Sequence, residues 1–226
     1  MRDLEGVTVV FDLDGTLVDT APDLLRALDV VMADEGLPAV PPDEVRRMVG
    51  QGAHALIVRA AARAGIVWPE EKLVRLTETF VEVYAADIAR DSRPFPGIPV
   101  ALDGLLAAGA VLSVCTNKRT GLSEQLLTAV GLRDRFAAVV GADSVPQRKP
   151  AAGHYLAAVA LAGGDARRSV MVGDSAADVD AAKAAGAPVI VYRFGYCEKD
   201  VSTLGADVLI SEFTELGAAV RRLLLS

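Results

Sequence analysis

With 226 residues, 52% of them apolar and 23% charged, the chain can bury one sizeable core plus a smaller satellite, and its composition excludes a disordered segment. A formal net charge of −7 argues against a nucleic-acid backbone as partner, which needs a basic face, but leaves room for a small anion held by a few local cations. The acidic opening (Asp3, Glu5) does not resemble a secretory signal, and no apolar run approaches the ~18 residues of a membrane span. Cys115 and Cys197, without CxxC spacing, read as free thiols of a cytoplasmic chain.

In chain order, residues 7–11 form a β-branched run that reads as a buried strand. Between residues 19 and 91 there is no strand pattern, but there are four helical ones, at 22–35, 42–48, 53–64 and 69–89. In the last, Leu73, Leu76, Phe80, Val83 and Tyr84 keep the three-four spacing of one apolar stripe. Pro22 stands where the first helix begins, and DSRPFPG (91–97) reads as a return linker. Beyond it, Ala- and Leu-rich helices at 97–108, 121–130, 151–162 and 176–185 alternate with short apolar strands at 111–115, 139–140, 170–172, 189–192 and 208–210. Apolar strands alternating with helices predict a parallel sheet covered on both faces. The expected fold is α/β: a Rossmann-like parallel sheet with helices on both faces (residues 1–18 and 92–226) and an inserted all-helical cap domain (19–91).

Open parallel sheets bind ligands beyond the carboxyl ends of their strands, so the residues just after each strand carry the functional information. After the first come Asp12, Asp14, Gly15 and Thr16; after the second, Thr116, Asn117 and Lys118; after the fourth, Gly173, Asp174, Ser175 and Asp178. Lys149 and Pro150 precede the 151–162 helix. Carboxylates, hydroxyl and amide groups and a lysine on one sheet edge suit phosphoryl transfer, which needs a nucleophile, a metal and donors around the phosphate oxygens. A calcium-loop reading of DLDG fails because Gly15 sits at loop position four instead of six, after a strand instead of a helix. Gly50, Gly52 and Ala55 match a dinucleotide fingerprint only superficially, since a charged helical segment precedes them. His154 falls within a helix, has no evident partner in the sequence, and reads as structural.

FDLDGTLVDT, the Thr116–Asn117 pair, Lys149–Pro150 and GDSAADVDAAKAAG resemble the four ordered motifs of the haloacid dehalogenase superfamily. With a helical cap after the first motif, the resemblance spans nearly the whole chain. It implies that Asp12 is the nucleophile and Asp14 the general acid, then base, of a reaction through an aspartyl-phosphate. It further implies Mg²⁺ bound by the Asp12 carboxylate, the Asp14 carbonyl and the Asp174 carboxylate, with Asp178 close to the ion without being a firm ligand. Thr116 and Asn117 would hold phosphate oxygens, and Lys149 would offset the repulsion between carboxylate and phosphate. The loop GQGAH (50–54) would dip over the site, making Arg46, Arg47, Gln51 and His54 the candidate readers of the substrate.

Within the superfamily, the TNK triplet, the cap loop and the fourth motif are most similar to the phosphoglycolate phosphatases, which implies a small phosphate ester as partner and a monomer or homodimer. Phosphatases of sugar phosphates and pyrophosphatases share this cap. After Lys149–Pro150 the chain runs Ala151–Ala152–Gly153, where relatives usually carry Pro and an acidic residue. A β-phosphoglucomutase-like isomerase is the alternative from another class; Thr16, where such mutases favour Val or Ile, and the lack of their cap motifs weigh against it. Asp14 weighs against a dehalogenase, and the full set of chemical groups against a non-catalytic binding module.

Overall fold

The computed structural model describes residues 2–225. The chain enters at strand β1 (Thr8–Phe11), makes a two-residue strand β2 (Val18–Asp19), and passes through helices α1 (Ala21–Asp34), α2 (Pro42–Met48), α3 (Ala53–Arg63) and α4 (Glu70–Ala86). It returns through β3 (Arg93–Pro94), then alternates: α5 (Ile98–Ala107), β4 (Val111–Cys115), α6 (Thr120–Ala129), β5 (Ala138–Val140), α7 (Ala152–Leu161), β6 (Ser169–Gly173), α8 (Ala176–Ala184) and β7 (Val189–Tyr192). Strand β8 (Val208–Ile210) and helix α9 (Leu216–Leu224) close it.

Six strands form one parallel sheet in the order β5-β4-β1-β6-β7-β8. Its strands are apolar at nearly every position because both faces are covered. Val9, Phe11, Leu112, Val114, Val170 and Val172 face the core that contains Leu102, Leu105, Leu216 and Val220 of α5 and α9. The alternate residues Val10, Cys115, Val140, Met171 and Val189 face Tyr155, Ala158, Val179 and Ala182 of α7 and α8.

Strand order reverses at β1, from which the chain builds outward to β4 and β5 and then crosses back to β6. The register is level there: Phe11 pairs with Val114 on one side and Val172 on the other. The segments that follow β1, β4 and β6 therefore leave the sheet side by side. That is the crevice in which open α/β sheets bind ligands.

The four inserted helices have their own apolar seam, with Leu24, Leu28 and Val31 of α1 and Leu73, Leu76, Phe80 and Tyr84 of α4 all buried. The stripe expected on α4 is thus the buried face, with Val83 half-buried at its edge. The two connecting segments pair antiparallel, Val18 with Pro94 and Asp19 with Arg93. Buried Asp23 fastens them: its Oδ2 accepts from the Asp91 amide (3.0 Å), the Ser92 amide (2.8 Å) and the Ser92 hydroxyl (2.6 Å). The β2–β3 pair and α9 have no counterpart among the predicted elements.

Candidate active site

Asp12 stands one residue beyond β1, its amide bonded to the Val172 carbonyl of β6 (2.9 Å). Its Oδ1 accepts from the Leu13 amide (2.7 Å) and from Lys149 Nζ (2.8 Å), whereas Oδ2 has no hydrogen-bond partner among the described residues. Leu13 is fully buried, and Asp12 and Asp14, on either side of it, both line one cavity of about 250 Å³ under the inserted helices. The turn that follows is tight. The amides of Leu17 and Val18 bond to the Leu13 carbonyl, and Gly15, at φ +85°, lies where a Cβ would come within 2.6 Å of the Asp174 carboxylate.

Lys149 reaches its place through a buried scaffold. Its Nζ donates to the Cys115 carbonyl (2.7 Å), to Asp178 Oδ1 (2.6 Å) and to Asp12. Burial opposes its charge, but the Asp12 and Asp178 carboxylates outweigh that and hold the ammonium well above the usual lysine range. His154 corrects the expectation of a partnerless residue. Its Nδ1 accepts from the Lys149 amide (3.0 Å) and its Nε2 bonds to the Val140 carbonyl (3.1 Å), so it sets the backbone from which Lys149 projects.

The fourth motif forms a second carboxylate pair beyond β6. Asp174 Oδ1 accepts from the Thr16 hydroxyl (2.8 Å) and Oδ2 from the Tyr196 amide (2.6 Å). Asp178 spends Oδ2 on the amides of Asp174 and Ser175 and the Ser175 hydroxyl, closing a capping box at the start of α8. Oxygens of Asp12, Asp174 and Asp178 lie within 4.8 Å of one another, all buried. Burial first, and then the neighbouring Asp178 and Asp14 charges, push the Asp12 carboxyl up to about 7 against the pull of Lys149. Burial and the charges of Asp178 and Asp12 push Asp174 well above the carboxylate range.

Two elements complete the cavity. Thr116 and Asn117 follow β4; the Asn117 side-chain amide donates to the carbonyls of Gly50 (3.0 Å) and Lys149 (3.2 Å), joining the insert to the sheet edge. Lys118 Nζ bonds Asp14 Oδ1 (2.8 Å) and the Tyr84 hydroxyl (3.1 Å), and Thr20 also donates to Asp14 Oδ1 (2.7 Å).

Residues 9–192 match the family described as haloacid dehalogenase-like hydrolase. The chain belongs to this family. Among the hydrolases it resembles, the phosphoglycolate phosphatase of Caulobacter vibrioides is 51% identical over 226 residues, covering all of this chain and 95% of that one. The phosphoglycolate phosphatase of Agrobacterium fabrum is 44% identical over 217 residues, 96% of this chain and 93% of the other. In three dimensions, the crystal structure of "a predicted phosphoglycolate phosphatase" from Haemophilus somnus superposes with a TM-score of 0.88 at 28% identity, covering 96% of this chain and 98% of that one.

The donor set of this hydrolase suits a hard divalent cation. Of the three buried carboxylates, Lys149 contacts Asp12 and Asp178 but not Asp174, so the cluster holds more carboxylates than its one ammonium offsets. Asp178 accepts four bonds, from Lys149 and the start of α8, whereas each Asp174 oxygen accepts one and Asp12 Oδ2 none, so Asp12 and Asp174 are the carboxylates with more capacity for an ion.

The cap residues expected to read the substrate are placed differently. Arg46 pairs with Asp19 (3.1 Å) of β2 and lies over the Tyr196 ring instead of lining the cavity. Arg47 lines a separate surface groove with Glu44 and Glu198. Gln51 points to solvent, and of the four only His54 lines the cavity, with its Nε2 3.2 Å from Glu70. Lys118, Tyr84 and Tyr196 carry no expected role, yet they hold Asp14 and Asp174. Lys118 had a visible signal, as the residue after the Thr–Asn pair. The two tyrosines arrive from distant elements and have none.

Proposed function

We propose that the chain is a Mg²⁺-dependent phosphomonoester hydrolase acting on 2-phosphoglycolate, with residues 19–91 as a cap over a core made of 1–18 and 92–226. The observation that carries this is Asp12: a buried carboxylate with one oxygen held by an amide and a lysine, the other unpartnered, and a second carboxylate on the same cavity wall. The names of the relatives support the substrate.

In this reading Asp12 Oδ2 attacks phosphorus and the ester P–O bond breaks, while protonated Asp14 gives its proton to the leaving alkoxide. Asp14, now a carboxylate, takes a proton from water as that water attacks the aspartyl-phosphate, the P–O bond to Asp12 breaks, and phosphate leaves. Lys149 favours the ionised form of Asp12 against the effect of burial and screens it from the incoming dianion. Thr116 and Asn117 stand where phosphate oxygens would be held. The Asp12 and Asp174 carboxylates with the Asp14 carbonyl would hold Mg²⁺, which supplies charge neutralisation for the transferring phosphoryl group. Thr20 and Lys118 orient Asp14.

The test is a panel of small phosphate esters (2-phosphoglycolate, sugar phosphates, pyrophosphate and an aryl phosphate) compared by kcat/KM in Mg²⁺. Phosphoglycolate should lead. Asp12→Asn should abolish turnover on all of them. Asp14→Asn should lower kcat by roughly 10² to 10⁴ while phosphate and metal still bind. Interconversion of a sugar phosphate without phosphate release would point to the mutase instead.

A further inference from the structure

If the substrate carries a carboxylate a few bonds from its phosphate, some cation on the cavity wall should be free to meet it. The cations there are few, and nearly all are spoken for. Lys118 is bonded to Asp14 and Tyr84, and Arg119 to both oxygens of Glu78. His54 faces Glu70. Asp143, an acid of the same wall, accepts from the amide and hydroxyl of Thr120 (2.8 and 2.7 Å). Arg148 is different. It lines the same cavity as Asp12, Asp14 and Thr116, yet its guanidinium has no carboxylate or hydrogen-bond partner among the described residues.

An exposed arginine without a partner is ordinary on an open surface. This one is exposed too, but it stands on the wall of the cavity that holds Asp12 and Asp14. Gly52 of the insert comes down upon it: at φ +84°, a Cβ on Gly52 would lie 3.3 Å from Arg148 Nη1 and 3.1 Å from the Asn117 carbonyl oxygen. The loop thus lies against the guanidinium beside Asn117, which itself bonds Gly50 and the Lys149 carbonyl. Much of the wall is apolar, with Leu24, Leu56 and Phe80 among its members, and offers a carboxylate nothing. Arginine's planar fork can hold both oxygens of a carboxylate at once.

We propose that Arg148 is a specificity-determining residue that receives the substrate's second anionic group, a carboxylate, and so directs turnover toward small phosphate esters of hydroxy acids. The inference rests on the phosphatase reading above. It moves recognition of the carboxylate from the cap arginines to the loop that precedes α7, on the same side of the cavity as the groups that would hold the phosphate.

The experiment compares 2-phosphoglycolate with 2-hydroxyethyl phosphate, which has the same skeleton with an alcohol in place of the carboxylate. Selectivity is the ratio of their kcat/KM values, measured for the wild-type chain, Arg148→Met and Arg148→Lys. The proposal expects Arg148→Met to lower that ratio roughly ten- to hundredfold, chiefly through KM for phosphoglycolate, and Arg148→Lys to restore part of it. An unchanged melting temperature for Arg148→Met would exclude a folding defect. Wild-type selectivity that survives intact in Arg148→Met overturns the proposal and leaves the phosphatase reading standing. Phosphate release without any wild-type preference for the carboxylated ester overturns both the proposal and the phosphoglycolate assignment. No phosphate release from any ester would overturn the phosphatase reading itself.

Discussion

Lys149 is the residue on which the site depends most, and the structure holds it from both ends. Its ammonium has three oxygen partners, and its amide is fixed by a buried histidine. Burial, together with the nearby Lys149 charge, brings the His154 imidazole down to about 4. The neutral ring is therefore the folded form, with Nδ1 accepting and Nε2–H donating. A histidine whose pKa falls on folding binds fewer protons folded than unfolded between about 4 and its ordinary ~6.5. Its contribution to stability is complete above ~6.5 and is lost as pH falls through that window. Relative to His154→Gln, which can make both bonds without titrating, the wild-type chain should lose about 3 kcal/mol between pH 7 and 4. Urea unfolding of the two proteins across that range measures the difference; parallel curves would mean that the imidazole titrates elsewhere or not at all.

At the scale of elements, the junction between insert and core is a pair of short segments tied by one carboxylate. Asp23 is fully buried and gathers three donors from the segment just before β3, while Arg26, 3.6 Å from its other oxygen, gives partial compensation. Asp23→Ala would leave two backbone amides and a hydroxyl without their acceptor. Charge-assisted bonds are worth about 1.5–3 kcal/mol each and do not add fully. The variant should therefore be destabilised by at least about 2 kcal/mol by denaturant titration, and Asp23→Asn by less, since it keeps an acceptor. This junction is also where the sequence was hardest to read. Strands such as Val111–Cys115 and Val189–Tyr192 announce themselves because burial on both faces favours near-continuous apolar runs rich in valine and isoleucine. Val18–Asp19 and Arg93–Pro94 are two residues each and become strands only through pairing with one another. Within the site, the groups that leave a sheet edge together were legible from topology alone. The facing of Arg46, the partners of Lys118 and the approach of Gly52 to Arg148 depend on how the insert sits on the sheet, which no local spacing encodes.

The whole molecule is acidic, with a net charge of −7, and concentrates part of that charge in its driest crevice. Burial and mutual repulsion, offset in part by Lys149 beside Asp12 and Asp178, raise the Asp12 and Asp174 carboxyls and oppose full ionisation of the cluster. A divalent cation bound there would relieve that repulsion, and a ligand that binds only the folded chain stabilises it by RT ln(1 + [L]/Kd). At a Mg²⁺ concentration 100-fold above Kd this is about 2.7 kcal/mol. For a chain of this size each kcal/mol shifts the melting temperature by roughly 2–4 °C, so Mg²⁺ should raise it by roughly 5–10 °C. The shift should vanish in Asp174→Ala, which removes a proposed ligand. It should persist, though weakened, in Asp178→Asn, because Asp178 spends its oxygens on Lys149 and the α8 capping box. Calorimetry of the three proteins with and without Mg²⁺ decides between these outcomes, and needs no turnover to do so. A full shift in Asp174→Ala would place the ion elsewhere on this acidic surface, and no shift in the wild-type chain would remove the metal from the reading altogether.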